Sequence, residues 1–244
     1  MHPDAQTLTN IRAARTYHER PPENYLVPYR HIAHLLENRA SESPEKIFLI
    51  ACDADGARTE YTYAQFNAQV NRAANLLWSL GIRPNDRVAT LAYNHAETVI
   101  LYFACWKIGA TLAPQNATED DARIAFILRN SEAVALFVRH DYLERAARIL
   151  SGASEGGGAP NVRRVVQMGG TPHGEIMHFS TELALQAEDF STPEQVSLES
   201  EALLIYTSGT TGAPKGVVLI QYNLLVDARG ISDWQGITGN QRLM

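Results

Sequence analysis

The sequence predicts an α/β protein in which helices cover both faces of a parallel sheet. Short apolar runs alternate with amphipathic helical segments along most of the 244 residues, an order typical of parallel sheets. The run 133–138 is apolar throughout, as expected of a strand buried on both faces. Two helical segments end at glycines, Gly81 and Gly109, which are common helix terminators.

The elements follow in order along the chain. Helices are predicted at 31–39, 62–80, 96–108, 118–130 and 141–150, where apolar residues recur at helical spacing. Strands are predicted at 46–51, 87–93, 133–138, 163–168, 202–205 and 217–220. Thr62 is a good N-cap residue, and Thr118 with Asp121 resembles a capping box.

Composition shifts predict three segments. Residues 1–28 are polar and proline-containing, which indicates an extended leader. Residues 29–190 form a first α/β subdomain in this interpretation. Residues 170–200 are polar and loop-rich, which indicates a connection between subdomains. A second α/β subdomain is predicted to start within it and to cover 191–244.

Charge and composition argue against several partners and locations. A net charge of −6 argues against nucleic acid, which favours a basic face. The apolar stretch 99–106 is stopped by Lys107 and is far shorter than the ~20 residues of a membrane span. Two cysteines, Cys52 and Cys105, and a start without signal-peptide character indicate a reduced, cytoplasmic protein. The histidine pairs at 31/34 and 173/178 supply too few ligands for a metal site.

The run YTSGTTGAPKG at 206–216 lies between two apolar strand-like stretches. It has the composition required to bind a polyphosphate. Glycines let backbone N–H groups approach an anion, hydroxyls donate hydrogen bonds to phosphate oxygens, and lysine supplies positive charge. The predicted binding residues are Thr207, Ser208, Gly209, Thr210, Thr211, Gly212, Lys215 and Gly216.

Two other interpretations of this run are weaker. A Walker A loop requires Gly before its lysine and Ser or Thr after it, whereas Lys215 stands between Pro214 and Gly216. A plain hairpin turn is often rich in glycine and serine. A turn does not require so long a run of hydroxyls and glycines, or a lysine at its end.

The run resembles the phosphate loop of adenylate-forming enzymes, [YF]-[ST]-S-G-[ST]-T-G-x-P-K-G. This superfamily includes acyl-CoA synthetases, the adenylation domains of peptide synthetases and luciferases. The stretches at 60–66, 81–88 and 103–114 resemble upstream family segments in the right order, so the similarity runs from about 29 to 244. Asn85, Gln115 and Gln221 depart from the usual family residues, which are glycine, an aliphatic residue and often histidine.

The resemblance implies two half-reactions. A carboxylic acid reacts with Mg²⁺-bound ATP to give an acyl-adenylate, and a thiol of CoA or phosphopantetheine then displaces AMP. On this interpretation the loop hydroxyls and backbone N–H groups hold the β- and γ-phosphates. Lys215 is the catalytic residue that offsets charge on the departing pyrophosphate.

The resemblance also implies a longer enzyme, because family members continue well beyond the position of Met244. The chain is therefore interpreted as the N-terminal segment of an acyl- or aryl-CoA ligase, a truncated domain expected to be inactive alone. The Thr210-Thr211 pair is more typical of CoA ligases than of peptide synthetases. An amino-acid-activating adenylation domain and a non-catalytic truncated product are the open alternatives.

Overall fold

A computed structural model describes residues 4–6, 9–10, 13, 26–52, 56–152, 158–207, 214–239 and 241. The chain forms two compact units, one of Arg30–Leu224 and one of Met1–Tyr29 with Leu225–Met244. Residues 5–6, 9–10 and 13 are helical, and most of the predicted leader lies outside the described residues. The predicted boundary near residue 190 stays a prediction.

Helices and strands alternate along the larger unit. The helices are α1 (Ile32–Glu42), α2 (Tyr63–Ser79), α3 (Ala96–Ile108), α4 (Asp121–Asn130), α5 (Leu143–Ser151), α6 (Phe179–Ala184) and α7 (Gln221–Gln235), which continues into the smaller unit. The strands are β1 (Ile47–Cys52), β2 (Arg58–Thr62), β3 (Arg87–Leu91), β4 (Thr111–Gln115), β5 (Ala135–Arg139), β6 (Arg164–Met168), β7 (Met177–His178), β8 (Glu201–Thr207) and β9 (Lys215–Ile220). A single 3₁₀ turn, His140–Tyr142, precedes α5.

The main sheet has the order β7-β6-β5-β3-β4-β8-β9. Neighbouring strands are parallel from β7 to β8, which confirms the α/β class. The last pair, β8 and β9, is antiparallel, so the sheet is mixed rather than wholly parallel. The connection 208–214 is too short for a parallel crossover, which takes a dozen or more residues. β1 and β2 form a separate antiparallel pair.

Two apolar cores cover the two faces of this sheet, as the sequence predicts. One core packs α2, α3 and α6 against β3 to β6. The other packs α4 and α5 against β3, β4 and β5. The helix α3, which follows β3, lies on one face of the sheet, and α4, which follows the adjacent strand β4, lies on the other face.

Two of the predicted helix boundaries are confirmed and one is wrong. Thr62 caps α2 in a full capping box with Gln65, and Gly109 ends α3 in the left-handed region with φ 79°. The predicted cap of α4 is wrong. Asp120, rather than Thr118, accepts a hydrogen bond from the Arg123 N–H at 2.7 Å, because a carboxylate is the stronger acceptor at a helix N-terminus.

A histidine caps α1. The His31 Nδ1 accepts a hydrogen bond from the His34 N–H at 3.0 Å, which requires a neutral imidazole. Burial lowers the pKa of His31 below its ordinary value. The unfolded chain therefore binds this proton at a higher pH than the folded chain does. The stability from the cap is complete above the ordinary pKa of about 6.5 and is lost as pH falls through the lowered folded pKa.

Replacing His31 by serine is expected to reduce this pH dependence, since serine caps a helix without titrating in this range. Urea unfolding at about pH 7.5 and about pH 5.5 brackets the ordinary histidine pKa. The wild-type protein should lose more unfolding free energy between the two than His31→Ser does. Equal losses in the two proteins would show that protonation of His31 does not limit stability.

Candidate phosphate-binding site

The candidate phosphate loop connects β8 to β9 at the carboxyl edge of the parallel strands. Thr207, the last residue of β8, pairs with Lys215, the first residue of β9. β8 runs parallel to β4, so the chain leaves β8 at the edge where the parallel strands of the sheet also end. In open α/β sheets this is the edge at which ligands bind.

The structure describes three of the predicted site residues. Thr207, Lys215 and Gly216 lie at the ends of the two strands that flank the loop, and all three are exposed. Cross-strand partners share a face of the sheet, so Thr207 and Lys215 project to the same side. Ser208, Gly209, Thr210, Thr211 and Gly212 lie outside the described residues.

Tyr206 fixes the base of the loop from the opposite face. Its phenol donates a hydrogen bond to the Asn130 Oδ1 at 2.6 Å, which ties β8 to the end of α4. Burial raises the pKa of Tyr206, so the phenol stays a donor at neutral pH. A Cβ added to Gly216 would lie 2.9 Å from Leu204 Cδ1 and 3.2 Å from Tyr206 Cζ. Packing, rather than a positive φ, therefore explains the glycine at position 216.

A second set of polar contacts attaches the other end of the hairpin. The Trp106 Nε1–H donates to the Ala202 carbonyl at 3.1 Å, and the Thr111 hydroxyl donates to a Glu201 carboxylate oxygen at 3.2 Å. Sequence reasoning did not identify these residues or Asn130, because each partner lies far away in the chain.

A charged network occupies the same edge at the ends of β3 and β5. Arg139 donates to Glu97 Oε2 at 3.2 Å and to the Tyr93 hydroxyl at 3.0 Å, and Tyr93 donates to Asp141 Oδ2 at 3.0 Å. Arg139 is only 5% exposed. Gly169 has a φ of 64°, which strains other residues, and an added Cβ would meet this guanidinium. Since Glu97 offsets the charge of Arg139, the network orders this edge rather than offering a free cation.

The described histidines and helices show what occupies the positions that were weighed against metal and membrane binding. Within the described ranges, no group of three or more His, Cys, Asp or Glu side chains could hold a metal ion. His31 caps a helix, and the His178 ring contacts the Gly170 carbonyl and the Thr181 hydroxyl. None of the helices in these ranges combines the length and the apolar character that a membrane span requires.

Comparison with known proteins identifies the family. A family model described as AMP-binding enzyme matches residues 36–243. The chain belongs to the AMP-binding enzyme family. The match includes the loop 206–216, so the resemblance predicted from that run is confirmed.

The relatives of this family member include acyl- and aryl-CoA ligases. Crotonobetaine/carnitine–CoA ligase of Salmonella enteritidis is 31% identical over 223 residues, which cover 86% of this chain and 40% of that protein. A long-chain-fatty-acid–CoA ligase (FadD1) from Archaeoglobus fulgidus matches with a TM-score of 0.75 and 26% identity, over 88% of this chain and 41% of that one. Anthranilate–CoA ligase AuaEII, solved with anthranoyl-AMP, matches with a TM-score of 0.70 and 25% identity, over 84% and 37%.

The similarity therefore covers most of this chain but less than half of each relative. The chain spans about 40% of the length of the curated relatives it matches and corresponds to their N-terminal portion.

Proposed function

We propose that this chain is the N-terminal segment of an ATP-dependent acyl- or aryl-CoA ligase. The whole protein would activate a carboxylic acid as an acyl-adenylate and transfer the acyl group to a thiol. Family membership and the CoA ligases among the relatives support this proposal. The CoA ligases among the relatives favour it over an amino-acid-activating domain of a peptide synthetase.

The observation that carries the proposal is the pairing of Thr207 with Lys215 at the carboxyl edge of the sheet. The two residues bracket a run of hydroxyls and glycines, so an anion held by the loop would lie beside the lysine. Among the described residues no ion pair involves Lys215. This cation is exposed, and a phosphate can therefore bind it without displacing a described carboxylate.

On this proposal the residues of the chain act by binding and by charge. Thr207, Ser208, Thr210 and Thr211 donate hydrogen bonds to the β- and γ-phosphates of ATP, and Gly209, Gly212 and Gly216 allow close approach. Lys215 stabilises negative charge that develops on pyrophosphate as the carboxylate attacks the α-phosphate. Groups placed in advance where charge develops account for much of the catalysis of such reactions.

Magnesium is proposed to enter with the nucleotide. Mg²⁺ usually binds through substrate phosphates and one or two carboxylates rather than through a protein cage. The lack of a described metal-ligand cluster is compatible with that mode of binding. The ion would neutralise phosphate charge beside Lys215.

CoA is the proposed thiol acceptor, since the compared relatives are CoA ligases. A carrier-protein phosphopantetheine is the other thiol of the family.

A cytoplasmic location is proposed because Cys52 and Cys105 are both free, as is usual in reducing compartments. Burial raises the pKa of the Cys105 thiol, so this cysteine is a packing residue rather than a nucleophile.

Pyrophosphate exchange tests the proposal directly. The whole protein containing this chain is incubated with Mg·ATP, labelled pyrophosphate and, one at a time, a panel of fatty, aryl and amino acids. Label should enter ATP only when the acid that the protein activates is present. Acyl-CoA should then form when CoA is added. Exchange with amino acids alone would favour a peptide synthetase domain, and no exchange with any acid would contradict a ligase.

A further inference from the structure

Gln221 lies where the hairpin that carries the loop returns to the body of the fold. It follows Ile220, the last residue of β9, and begins α7. Its side chain is fully buried, with 0% exposure, although glutamine is usually found at the surface. Most buried side-chain polar atoms have hydrogen-bond partners.

Both atoms have partners, on two different helices. The Gln221 Oε1 accepts from the N–H of Ile32, the first residue of α1, at 2.8 Å. The Nε2 donates to the carbonyl of Trp106, near the end of α3, at 2.9 Å. The partners fix the orientation of the amide, because a flipped amide would place donor against donor and acceptor against acceptor. The backbone N–H of Gln221 also donates to the Ser200 carbonyl at 2.9 Å.

Within the described part of the chain, the hairpin forms one end of the sheet. β9 is the terminal strand and pairs only with β8 among the described strands. Among the described residues the side chains of Val217 and Val218 on β9 are exposed, so they do not pack this strand against the described body of the fold. The Gln221 amide therefore fixes the C-terminal end of β9. Lys215 lies at the N-terminal end of the same strand.

We infer that Gln221 is a positioning residue for the phosphate loop. Its amide holds β9 against α1 and α3, and through this strand it sets the place of Lys215 opposite Thr207. The inference rests on the proposed function, since it assumes that the loop binds the phosphates of ATP. It adds a residue outside the loop on which that binding depends.

The chemistry of the two contacts makes substitutions selective. Ionised glutamate keeps the shape and the acceptor but has no donor, and it sets a carboxylate against the Trp106 carbonyl; restoring a donor by taking up a proton costs free energy at about pH 8. A neutral histidine has one donor and one acceptor, so it can retain both contacts. At about pH 8 an unperturbed imidazole is neutral. Gln221→Glu should therefore release the strand, and Gln221→His should largely restore it.

A matched control separates positioning from general stability. Asn71, on α2, is also a buried amide, 8% exposed, and its Nδ2 donates to the Glu188 carbonyl at 2.7 Å. That contact is outside the hairpin. Asn71→Ala should lower the melting temperature as Gln221→Glu does, without changing the loop.

The test measures Mg·ATP affinity by calorimetry in the whole protein containing this chain, well below the melting temperature of every variant. Gln221→Glu should weaken binding about tenfold, Asn71→Ala should bind as wild type does, and Gln221→His at about pH 8 should bind within about threefold of wild type. Equal affinities in Gln221→Glu and Asn71→Ala would overturn the inference.

Hydrogen exchange distinguishes this inference from the proposed function. Amide protons of β8 and β9 should exchange faster in Gln221→Glu than in Asn71→Ala, whether or not nucleotide is bound. If the wild type fails to bind Mg·ATP while the hairpin still loosens, the proposed function fails and Gln221 keeps only its effect on the strand. Unchanged exchange in the hairpin would overturn the positioning role by itself.

Discussion

Replacing Lys215 by alanine is expected to slow pyrophosphate exchange of the whole protein by about 10²–10³-fold. Lys215 is exposed at the start of β9, beside the loop that is proposed to hold the departing pyrophosphate. Its ammonium would interact most strongly with charge that develops in the transition state. The loss should therefore appear in kcat more than in the KM for the acid.

Stability should barely change in Lys215→Ala, because exposed substitutions usually alter the unfolding free energy by less than about 0.5 kcal/mol. Lys46→Ala serves as the matched control, since Lys46 is also exposed and lies outside the loop. Lys215→Arg keeps the charge but alters its shape, so an intermediate rate is expected. Wild-type exchange in Lys215→Ala would remove the assigned role, and a slow Lys46→Ala would indicate a nonspecific charge effect.

The family resemblance of the candidate phosphate loop could be recognised in the sequence, and the family match confirms it, because the residues that carry it are local. The hydroxyls, glycines and lysine are consecutive, and their chemistry does not depend on knowing which strands pair. The same holds for α2, whose capping box joins Thr62 to Gln65, and for α3, which ends at Gly109. Each of these features is complete within a few residues of the chain.

The strand β4 could not be predicted in this way. Its sequence contains Pro114, which lacks an N–H and argues against a strand inside a sheet. β4 nevertheless lies between β3 and β8 and buries Leu112 and Ala113 completely. Burial between two neighbouring strands overrides the local signal. The antiparallel direction of β9 differs from the predicted parallel sheet, although the short connection 208–214 in the sequence already favours a hairpin.

Residues that act across long separations were the hardest to predict. Gln221 appears in the sequence only as a departure from the usual family residue, and its partner Ile32 is 189 positions away. Lys107 interrupts an apolar stretch, which suggests a charge at the surface. Its side chain is instead 1% exposed, because a carboxylate from α1 reaches it.

That buried charge leads to the largest stability effect expected in this protein. The Lys107 Nζ lies 2.6 Å from Glu37 Oε1, and the two side chains are 1% and 35% exposed. Removing the carboxylate in Glu37→Ala would leave the ammonium buried without its counter-charge. Loss of one partner from a buried ion pair costs about 3–5 kcal/mol. Because Glu37 is partly exposed, water can replace some of its effect, and a loss of about 3 kcal/mol is expected.

Three further variants identify the cause of that loss. Glu42→Ala removes another carboxylate from α1, one paired with Arg39 at 41% and 57% exposure, and should cost less than about 1 kcal/mol. Lys107→Met replaces the ammonium by an apolar side chain of similar length. Adding it to Glu37→Ala should recover most of the unfolding free energy measured in urea, because the uncompensated charge is then gone. If the double variant is as unstable as Glu37→Ala, lost packing between α1 and α3 explains the effect, and the buried charge does not.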